Sequence, residues 1–315
     1  MVDIILVNYN STCHVLRCLE SVYTSLQEVP AKIFVQDNDS CDDVDRVNSA
    51  FPEVYLSKNK GNIGFARAVN AAIAQGSSPY LVLLNPDTMI IDSVFFSNVI
   101  LFMEENRDVG ILGPKILNDD GSVQGSARNF PSVLTGLFGR NCLFSRCLPG
   151  NALSRKDVVV SGLNGQKPKE VEWVSGACMV VRRKAVDDVG PLDERFFMYW
   201  EDADWCRRMW QSGWRVVYFP SRASVVHYIG GSSRNARCRS LVEFHRSAYR
   251  LFAKYASGPE RLLKPLALWA LALRLLVLLV WNGLGDVIRV NRTGRGCEKG
   301  ALGRGQDVLS GQGER

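Results

Sequence analysis

The fold class of this 315-residue chain is indicated most clearly by the stretch Tyr80-Leu81-Val82-Leu83-Leu84-Asn85-Pro86-Asp87. The first five residues of this stretch are apolar without alternation, which is typical of a strand buried on both faces of a parallel sheet. Polar residues follow at once, and the Asn-Pro-Asp sequence ends the strand in a turn. The stretch therefore predicts an α/β fold, in which ligands bind beyond the carboxyl ends of the strands.

Three earlier segments of the chain repeat this pattern. Residues 4–7, 33–35 and 54–56 are short apolar strands, and segments with helical spacing of apolar residues lie between them. Such alternation is typical of a mostly parallel sheet with helices on both faces. Polar stretches follow these strands as well, so we expect them to lie at one edge of the sheet with Asp87: Asn8-Tyr9-Asn10, Asp37-Asn38 and the turn at residues 58–64.

The second half of the chain is predicted to complete the sheet around a loop-rich region. That region covers residues 118–169, and its 138–148 portion is expected to be only weakly ordered. The further strands are expected at residues 109–112, 171–174, 178–181, 215–219 and 224–226. His227 follows the last of these strands. A lone histidine is more often structural than a ligand, so His227 is only a candidate ligand.

Composition places the chain among ordinary globular proteins, with 46% hydrophobic and 22% charged residues. The formal net charge is +6, and basic residues outnumber acidic ones after Arg261, beside a long apolar run. This pattern indicates an anionic membrane surface as partner and no nucleic acid. The nine cysteines form no Cys-x-x-Cys pair or zinc-binding spacing, and the first residues read as a strand rather than a signal peptide. We therefore expect reduced thiols and a cytosolic protein.

The sequence Trp200-Glu201-Asp202-Ala203-Asp204 begins a predicted helix that ends at Gly213. Carboxylates are favoured at a helix N-terminus, and the preceding residues 195–200 are mostly apolar and aromatic. An acid at the edge of a hydrophobic pocket is typical of a general base, whereas a plain solvated helix cap is the alternative.

Asp37 ends the second predicted strand, where dinucleotide-binding enzymes place the acid that binds the ribose. Those enzymes need Gly-x-Gly-x-x-Gly after the first strand, and here that turn contains no glycine. Asp37 is instead expected to accept a hydrogen bond from a pyrimidine ring or a ribose hydroxyl, unless the Asp-Asn-Asp-Ser sequence is only a turn.

Two further segments suit a nucleotide diphosphate. Residues 61–67 place two glycines and Arg67 at the start of a helix, where exposed backbone N–H groups bind phosphates. Asp87 follows a buried strand, and one or two carboxylates suffice for Mg²⁺ or Mn²⁺ when phosphates and water supply the other ligands. A glycine-containing loop and an Asn-Pro-Asp turn without any ligand are the alternatives.

These segments occur in a fixed order: Val7-Asn8-Tyr9-Asn10, Asp37-Asn38, Asn62-x-Gly64-Phe65, Asn85-Pro86-Asp87, Trp200-Glu201-Asp202-x-Asp204 and His227-x-x-Gly230. In this order they resemble the inverting family-two glycosyltransferases of the GT-A fold, and most of all the bacterial rhamnosyltransferase-like branch. The resemblance covers residues 2–255. It implies a Rossmann-like α/β fold with a mostly parallel sheet, followed by a C-terminal helical, partly apolar extension.

The resemblance also implies roles for individual residues. Asp202 would be the catalytic base, while Asp87 and His227 would hold a divalent cation, Mg²⁺ or Mn²⁺. The family's metal motif is commonly Asp-x-Asp, and Asn85 stands at its first position here, which removes a charge. Asp37 would read the nucleotide base. The donor site would comprise Asn8, Tyr9, Asp37, Asn62, Arg67 and Asp87, and the acceptor site Trp173, Trp200 and Glu201.

The implied function is transfer of a sugar, L-rhamnose first, from a dTDP- or UDP-sugar to an acceptor in cell-surface polysaccharide synthesis. The acceptor would be a saccharide or a polyprenyl-diphosphate-linked saccharide. Direct inversion needs one base and one electrophile and no enzyme nucleophile. Glycoside hydrolysis is a distant competitor, because Glu201 and Asp204 offer a second acid beside Asp202. The other alternative is a non-catalytic, membrane-associated sugar-nucleotide-binding protein with a decayed transferase site.

Three regions are predicted along the chain. A GT-A domain covers residues 1–255, an apolar helical segment covers 256–291 and a disordered tail covers 292–315. The domain divides into a nucleotide-binding half, 1–115, and an acceptor and catalytic half, 116–255.

The apolar segment is expected to hold the protein, as a peripheral or monotopic enzyme, at the cytosolic face of the inner or plasma membrane. From Pro265 to Gly285 its only charge is Arg274, while basic residues flank it. An arginine near the middle of a span costs about 2.5–3.5 kcal/mol, so we expect a helix or helical hairpin lying in the interface. A buried terminal helix that closes the catalytic core is the alternative.

Overall fold

The computed structural model describes residues 1–131, 167–228 and 237–297. The predicted loop segment at 138–148 and the end of the predicted tail, 298–315, lie outside these residues. The first half comprises β1 (Val2–Asn8), α1 (Thr12–Leu26), β2 (Ala31–Asp37), α2 (Arg46–Ala50), β3 (Tyr55–Lys58), α3 (Phe65–Gln75), β4 (Tyr80–Leu84), β5 (Thr88–Ile90) and α4 (Phe95–Glu105). The second half comprises β6 (Val109–Leu117), β7 (Ala127–Arg128), β8 (Lys169–Glu170), β9 (Trp173–Val174), β10 (Cys178–Arg182), α5 (Arg183–Val189), α6 (Glu201–Gln211), β11 (Arg215–His227), α7 (Arg237–Tyr255), a 3-10 helix (Gly258–Leu263) and α8 (Lys264–Cys297).

The strands form one large mixed sheet and a small second one. In the described residues the large sheet has the order β3-β2-β1-β4-β10-β6-β11-β5, with β8 also paired to β11, and β7 pairs with β9 separately. The four strands from β3 to β4 are parallel, as are β6 and β11, whereas β10 is antiparallel to both of its neighbours. The prediction of an α/β fold with a mostly parallel sheet is confirmed.

Helices cover both faces of the sheet, as the continuous apolar strands predict. In β1, Ile4 and Leu6 belong to a core that also contains residues of α1 and α4. Ile5, the residue between them, belongs to the opposite core, which contains residues of α3 and α6. Because the side chains of a strand alternate between its faces, a strand buried on both sides must be apolar throughout.

Strand register assembles the predicted polar edge. Asn8 pairs with Asp37 at the ends of β1 and β2, and Asp37 pairs with Lys58 at the end of β3. At the other end of the sheet, the antiparallel pairing of β5 with β11 places His227 opposite Thr88, next to Asp87. Residues far apart in the chain therefore meet at the carboxyl ends of the strands.

The C-terminal helix α8 is continuous and leaves much of its apolar surface exposed. It packs on α7 through buried Ala267 and Leu271. The helix continues to Cys297, past the predicted boundary at residue 291, and does not form a hairpin. Within the described residues, one helical stretch, Gly258–Asn282, is long and apolar enough to cross a membrane by length and composition alone.

Candidate active site

The Asp202 carboxylate is fixed at the start of α6. The backbone N–H of Gly176, in the turn between β9 and β10, donates to Asp202 Oδ2 over 2.9 Å. The N–H of Ala203 donates to the other oxygen, Oδ1, over 2.8 Å. The side chain is half-buried, so the carboxylate is held by the backbone while part of the residue stays accessible.

Burial makes the first two acids of α6 more basic than usual. Burial raises the pKa of Asp202, against the opposing effects of the two N–H groups and of the Arg128 guanidinium. The pKa of Glu201 is raised well above its ordinary value by burial and then by the charge of Asp202. This pair therefore provides one ionisable carboxylate beside a neighbour that favours its neutral acid form.

Asp204, the third acid of the helix, has a structural role. It is completely buried, and Arg208 Nε donates to its Oδ2 over 2.9 Å. The Tyr255 hydroxyl donates to its Oδ1 over 2.8 Å, and Lys254 pairs with the same oxygen. Tyr255 and Lys254 join α6 to α7, while Arg208 binds from α6 itself. Both oxygens of Asp204 are engaged, which leaves Asp202 as the accessible carboxylate of the three.

The residues before α6 have an uncommon backbone. Tyr199 and Trp200 are both left-handed, each with φ of 70°, a conformation that bulky residues adopt only when their surroundings hold it. Phe244 of α7 contacts both rings, at centroid distances of 5.7 Å from Tyr199 and 5.4 Å from Trp200. Ser247, one turn further along α7, donates to the carbonyl of Met198 over 2.9 Å. No motif in the sequence indicates this role for α7.

The three predicted acceptor residues lie together. The Trp173 and Trp200 rings are 6.0 Å apart, and Glu201 follows Trp200 directly. The buried indole N–H of Trp173 donates to the Asn129 carbonyl, while Trp200 Nε1 has no hydrogen-bond partner in the described part of the chain. This cluster forms an aromatic wall beside Asp202.

Asp37 lies buried at the end of β2, where Asn8 orients it. Asn8 Nδ2 donates to Asp37 Oδ1 over 2.9 Å, and the backbone N–H of Ser40 donates to Oδ2 over 3.2 Å. Asn8 is itself fully buried, and its Oδ1 accepts from Ser11, so both ends of its amide are engaged within the protein. Asn8 therefore positions Asp37, and the half-buried Tyr9 follows it at the same edge.

The loop before α3 differs from the expected phosphate cradle. The N–H of Gly64 donates to Asn62 Oδ1 over 3.1 Å, and the N–H of Phe65 donates to the Phe197 carbonyl over 2.7 Å. Gly64 has φ of +90°, and a Cβ there would lie 2.6 Å from that carbonyl oxygen. Of the N–H groups expected to be exposed, that of Gly64 is thus bonded within its own loop and that of Phe65 is bonded to the loop that precedes α6. Arg67, in the first turn of α3, is exposed and forms an ion pair with Glu194 at 3.4 Å.

Asp87 and His227 meet at the other end of the edge. The distance from Asp87 Oδ1 to His227 Nε2 is 3.3 Å, and the carboxylate is 3% exposed. The backbone N–H of Tyr228 donates to the Asp87 carbonyl over 2.9 Å, which ties the two segments together. Burial raises the pKa of Tyr199, and the charges of Glu201 and Asp87 add to this, so Tyr199 lies near the acids of both sides.

Asp87 and His227 fit a divalent cation as part of its ligand set. A carboxylate and an imidazole nitrogen are both ordinary ligands of such ions. In the described ranges, no group of three or more His, Cys, Asp or Glu side chains could hold a metal. The protein would therefore supply two ligands from Asp87 and His227, and a diphosphate with water would supply the rest.

Comparison with known proteins places the chain in a family. The model of glycosyl transferase family group 2 matches residues 80–291. The N-acetylglucosaminyl-diphospho-decaprenol L-rhamnosyltransferase of Mycobacterium tuberculosis is 31% identical over 274 residues, which cover 82% of this chain and 86% of the relative. The rhamnosyltransferase WbbL of Escherichia coli is 26% identical over 286 residues, covering 81% of this chain and 93% of the relative.

Solved structures agree in fold at low sequence identity. GalNAc-T7, solved with UDP, GalNAc and Mn²⁺, superposes with a TM-score of 0.57 at 14% identity, over 83% of this chain and 49% of that one. The mannosyltransferase PcManGT of Pyrobaculum calidifontis, solved with GDP-Man and Mn²⁺, gives 0.52 at 14% identity, over 93% and 82%. At these identities the likeness establishes the fold alone.

Proposed function

Because the chain belongs to glycosyl transferase family group 2, we propose that it transfers L-rhamnose from dTDP-L-rhamnose, with inversion, to a polyprenyl-diphosphate-linked saccharide. The transferred sugar and the lipid-linked acceptor follow the activity named for the mycobacterial relative, which aligns along most of both chains, and the pyrimidine nucleotide follows from the position of Asp37. UDP-sugars are the second choice of donor. The observation that carries the proposal is the fixed, half-buried Asp202 carboxylate, whose pKa is raised by burial.

Asp202 acts as the general base of the proposed reaction. It accepts the proton of the acceptor hydroxyl, and the oxygen forms a bond to the anomeric carbon of the donor. The bond from that carbon to the diphosphate breaks in the same displacement, and the nucleoside diphosphate leaves with the electron pair. Trp173, Trp200 and Glu201 line the acceptor side, where aromatic rings suit the apolar faces of a sugar.

The donor site in this proposal extends from Asp37 to Asp87. Asp37, oriented by Asn8, accepts a hydrogen bond from the pyrimidine base. Tyr9 and Asn62 complete this part of the donor site in the proposal. Asp87 and His227 hold Mg²⁺ or Mn²⁺, which when bound stabilises the charge of the departing diphosphate. Arg67 completes the donor site in this proposal by leaving its exposed pair with Glu194 for the diphosphate.

A panel of labelled nucleotide sugars tests the proposed donor. We expect turnover with dTDP-L-rhamnose, and weaker turnover with UDP-sugars, only when a polyprenyl-diphosphate-linked saccharide is present. Turnover with GDP- or CMP-sugars alone would contradict the assignment of Asp37 to a pyrimidine nucleoside diphosphate. Binding of UDP or dTDP without consumption of any donor would instead favour a non-catalytic sugar-nucleotide-binding protein.

The proposed enzyme works at the cytosolic face of a membrane, where its acceptor lies. One side of α8 faces α7 and contains the buried residues Ala267 and Leu271. Arg274 lies on the same side, because its charge adds to the effect of burial in lowering the pKa of His245 in α7. The opposite side is apolar and exposed, which suits insertion into the interface of a bilayer. Its large exposed side chains include Leu266, Trp269, Leu273, Leu276, Val280 and Trp281.

Charge placed on that exposed side tests the membrane proposal. We expect Trp269→Asp with Leu276→Asp to abolish co-sedimentation with anionic lipid vesicles while the thermal unfolding temperature stays unchanged. Leu101→Asp, at an exposed leucine of α4, is the matched control and should bind vesicles as the unchanged protein does. Full vesicle binding by the double variant would contradict the assignment of α8 to the membrane.

A further inference from the structure

A hairpin after β6 brings polar side chains beside His227. β6 and β11 are parallel neighbours, with Leu117 opposite Val226, so both strands end at the same edge. The chain then turns back on itself, because the N–H of Asn118 donates to the Ser122 carbonyl over 2.8 Å. The N–H of Gln124 donates to the Ile116 carbonyl over 2.8 Å, which completes the hairpin. The Gln124 side chain thereby reaches the ring of His227.

Four side chains of the hairpin form a continuous hydrogen-bonded series, named here the Gln124 relay. Ser122 Oγ contacts Asp120 Oδ1 at 2.5 Å, and Asn118 Nδ2 lies 2.8 Å from Ser122 Oγ. Gln124 Nε2 lies 3.0 Å from Asn118 Oδ1, and Gln124 Oε1 lies 3.0 Å from His227 Nδ1. The series runs from an exposed carboxylate to the imidazole.

The Asp120 carboxylate fixes the direction of every bond in the relay. An ionised carboxylate only accepts hydrogen bonds, so the Ser122 hydroxyl must donate to it. The Ser122 oxygen then accepts from the amide of Asn118, whose oxygen accepts from the amide of Gln124. Gln124 Oε1 is left as an acceptor, and His227 Nδ1 must therefore carry a proton. In a neutral imidazole the other nitrogen, Nε2, then has a free lone pair.

We infer that the Gln124 relay is a positioning device, which holds His227 in the Nδ1–H tautomer so that Nε2 can ligate the divalent cation shared with Asp87. The inference rests on the proposed function for the cation itself. The opposite tautomer would direct an Nε2–H at Asp87 Oδ1, 3.3 Å away, and the two side chains would then bond to each other. The relay keeps the pair open to a cation by favouring the tautomer with a lone pair at this position.

Substitutions at Gln124 separate the relay from ordinary packing. Gln124→Leu keeps the size of the side chain and removes the acceptor, whereas Gln124→Glu retains an oxygen that accepts from Nδ1–H. With saturating UDP or dTDP, we expect Gln124→Leu to weaken Mn²⁺ binding, measured by electron paramagnetic resonance, about 10- to 100-fold. Gln124→Glu should bind within about three-fold of the unchanged protein. Gln75→Leu, on the exposed face of α3, controls for loss of a glutamine amide.

Nitrogen-15 spectra of the imidazoles give a readout that needs neither metal nor activity. The chain has three histidines, so His227 can be identified by comparison with His227→Ala. In mildly alkaline, metal-free buffer we expect a protonated Nδ1 and an unprotonated Nε2. In Gln124→Leu we expect the proton to be shared between the two nitrogens or to move to Nε2.

The two readouts distinguish failure of the relay from failure of the metal site. Unchanged Mn²⁺ affinity and an unchanged tautomer in Gln124→Leu would overturn the relay while leaving the cation site intact. An Nε2–H tautomer, or protons on both nitrogens, in the unchanged protein would overturn it as well. If His227→Ala does not weaken Mn²⁺ binding, the proposed cation site fails. A weakened affinity in Gln124→Leu that disappears in the His227→Ala background would confirm that Gln124 acts through His227.

Discussion

The carboxylates of Asp87 and Asp202, on the two sides of the candidate site, are held in different ways. Asp87 is almost fully buried after a strand and faces an imidazole nitrogen at 3.3 Å. Asp202 is half-buried at the start of a helix, where backbone N–H groups bind both of its oxygens. A carboxylate beside a nitrogen ligand is suited to share a cation, whereas one bound by backbone N–H groups beside aromatic rings is suited to accept a proton.

Replacing Asp202 should give the largest effect on catalysis. In Asp202→Asn the amide oxygen can still accept from the Gly176 N–H, so the fold and donor binding should be preserved. We expect turnover to fall by about two to four orders of magnitude, the usual contribution of a general base. Initial rates with donor and acceptor, together with donor binding by calorimetry, would measure this. Near-normal turnover in a folded variant would move the role of base to another acid.

Replacing Asp87 should lower turnover through the cation instead. We expect Asp87→Asn to reduce turnover by about two to three orders of magnitude, because stabilisation of the leaving diphosphate is weakened. Excess Mn²⁺ should restore part of the loss in Asp87→Asn and none of it in Asp202→Asn. EDTA should abolish the activity of the unchanged protein. Full activity in EDTA would show that Asp87 does not act through a cation, and the proposed difference between Asp87 and Asp202 would fail.

Asp204 shows that an acid on the same helix as Asp202 can serve stability alone. Asp204→Ala would leave Arg208 and Lys254 without their shared buried partner, so we expect a loss of about 3 kcal/mol in the free energy of unfolding. Urea denaturation measures this loss. Asp188→Ala, which removes an exposed pair with Lys184, is the control and should cost less than about 1 kcal/mol. Equal losses in the two variants would contradict the structural role of Asp204.

The sequence pattern predicted the polar edge because parallel strands bring their carboxyl ends together. Asp37 and Asp87 follow apolar strands, and that position alone indicates a ligand site. The adjacency of Asp87 and His227 depends on the pairing of β5 with β11, so periodicity could not give it, and it came from the resemblance to a family. The roles of these residues in catalysis remain predictions.

The sequence pattern could not predict the contacts made by irregular segments. The phosphate cradle before α3 was expected from its glycines, but the Phe197 carbonyl binds an N–H at the start of that helix. Gly176 and Phe244 hold the residues around Asp202 from distant parts of the chain, and neither belongs to a recognisable motif. Such contacts depend on tertiary packing, which local propensity does not encode.

The smallest predicted effect concerns the pH dependence of turnover. The base must be ionised, and burial raises the pKa of Asp202, so turnover should be complete above this raised pKa and fall as the pH decreases through it. The Arg128 guanidinium lowers the pKa of Asp202, against the effect of burial. In Arg128→Met the carboxylate loses this stabilisation, and the acid limb of the kcat profile should move to higher pH by less than about one unit.

Glu201→Gln is the matched control for that shift. Because the pKa of Glu201 is raised well above its ordinary value, a neutral amide resembles the form that this residue already favours. The acid limb should therefore keep its position in Glu201→Gln, even if acceptor affinity changes. A shift to lower pH in Arg128→Met, or a large shift in Glu201→Gln, would mean that the limb reports a different group from Asp202. A residue other than Asp202 would then be the base, and the contrast with Asp87 would have to be drawn with that residue.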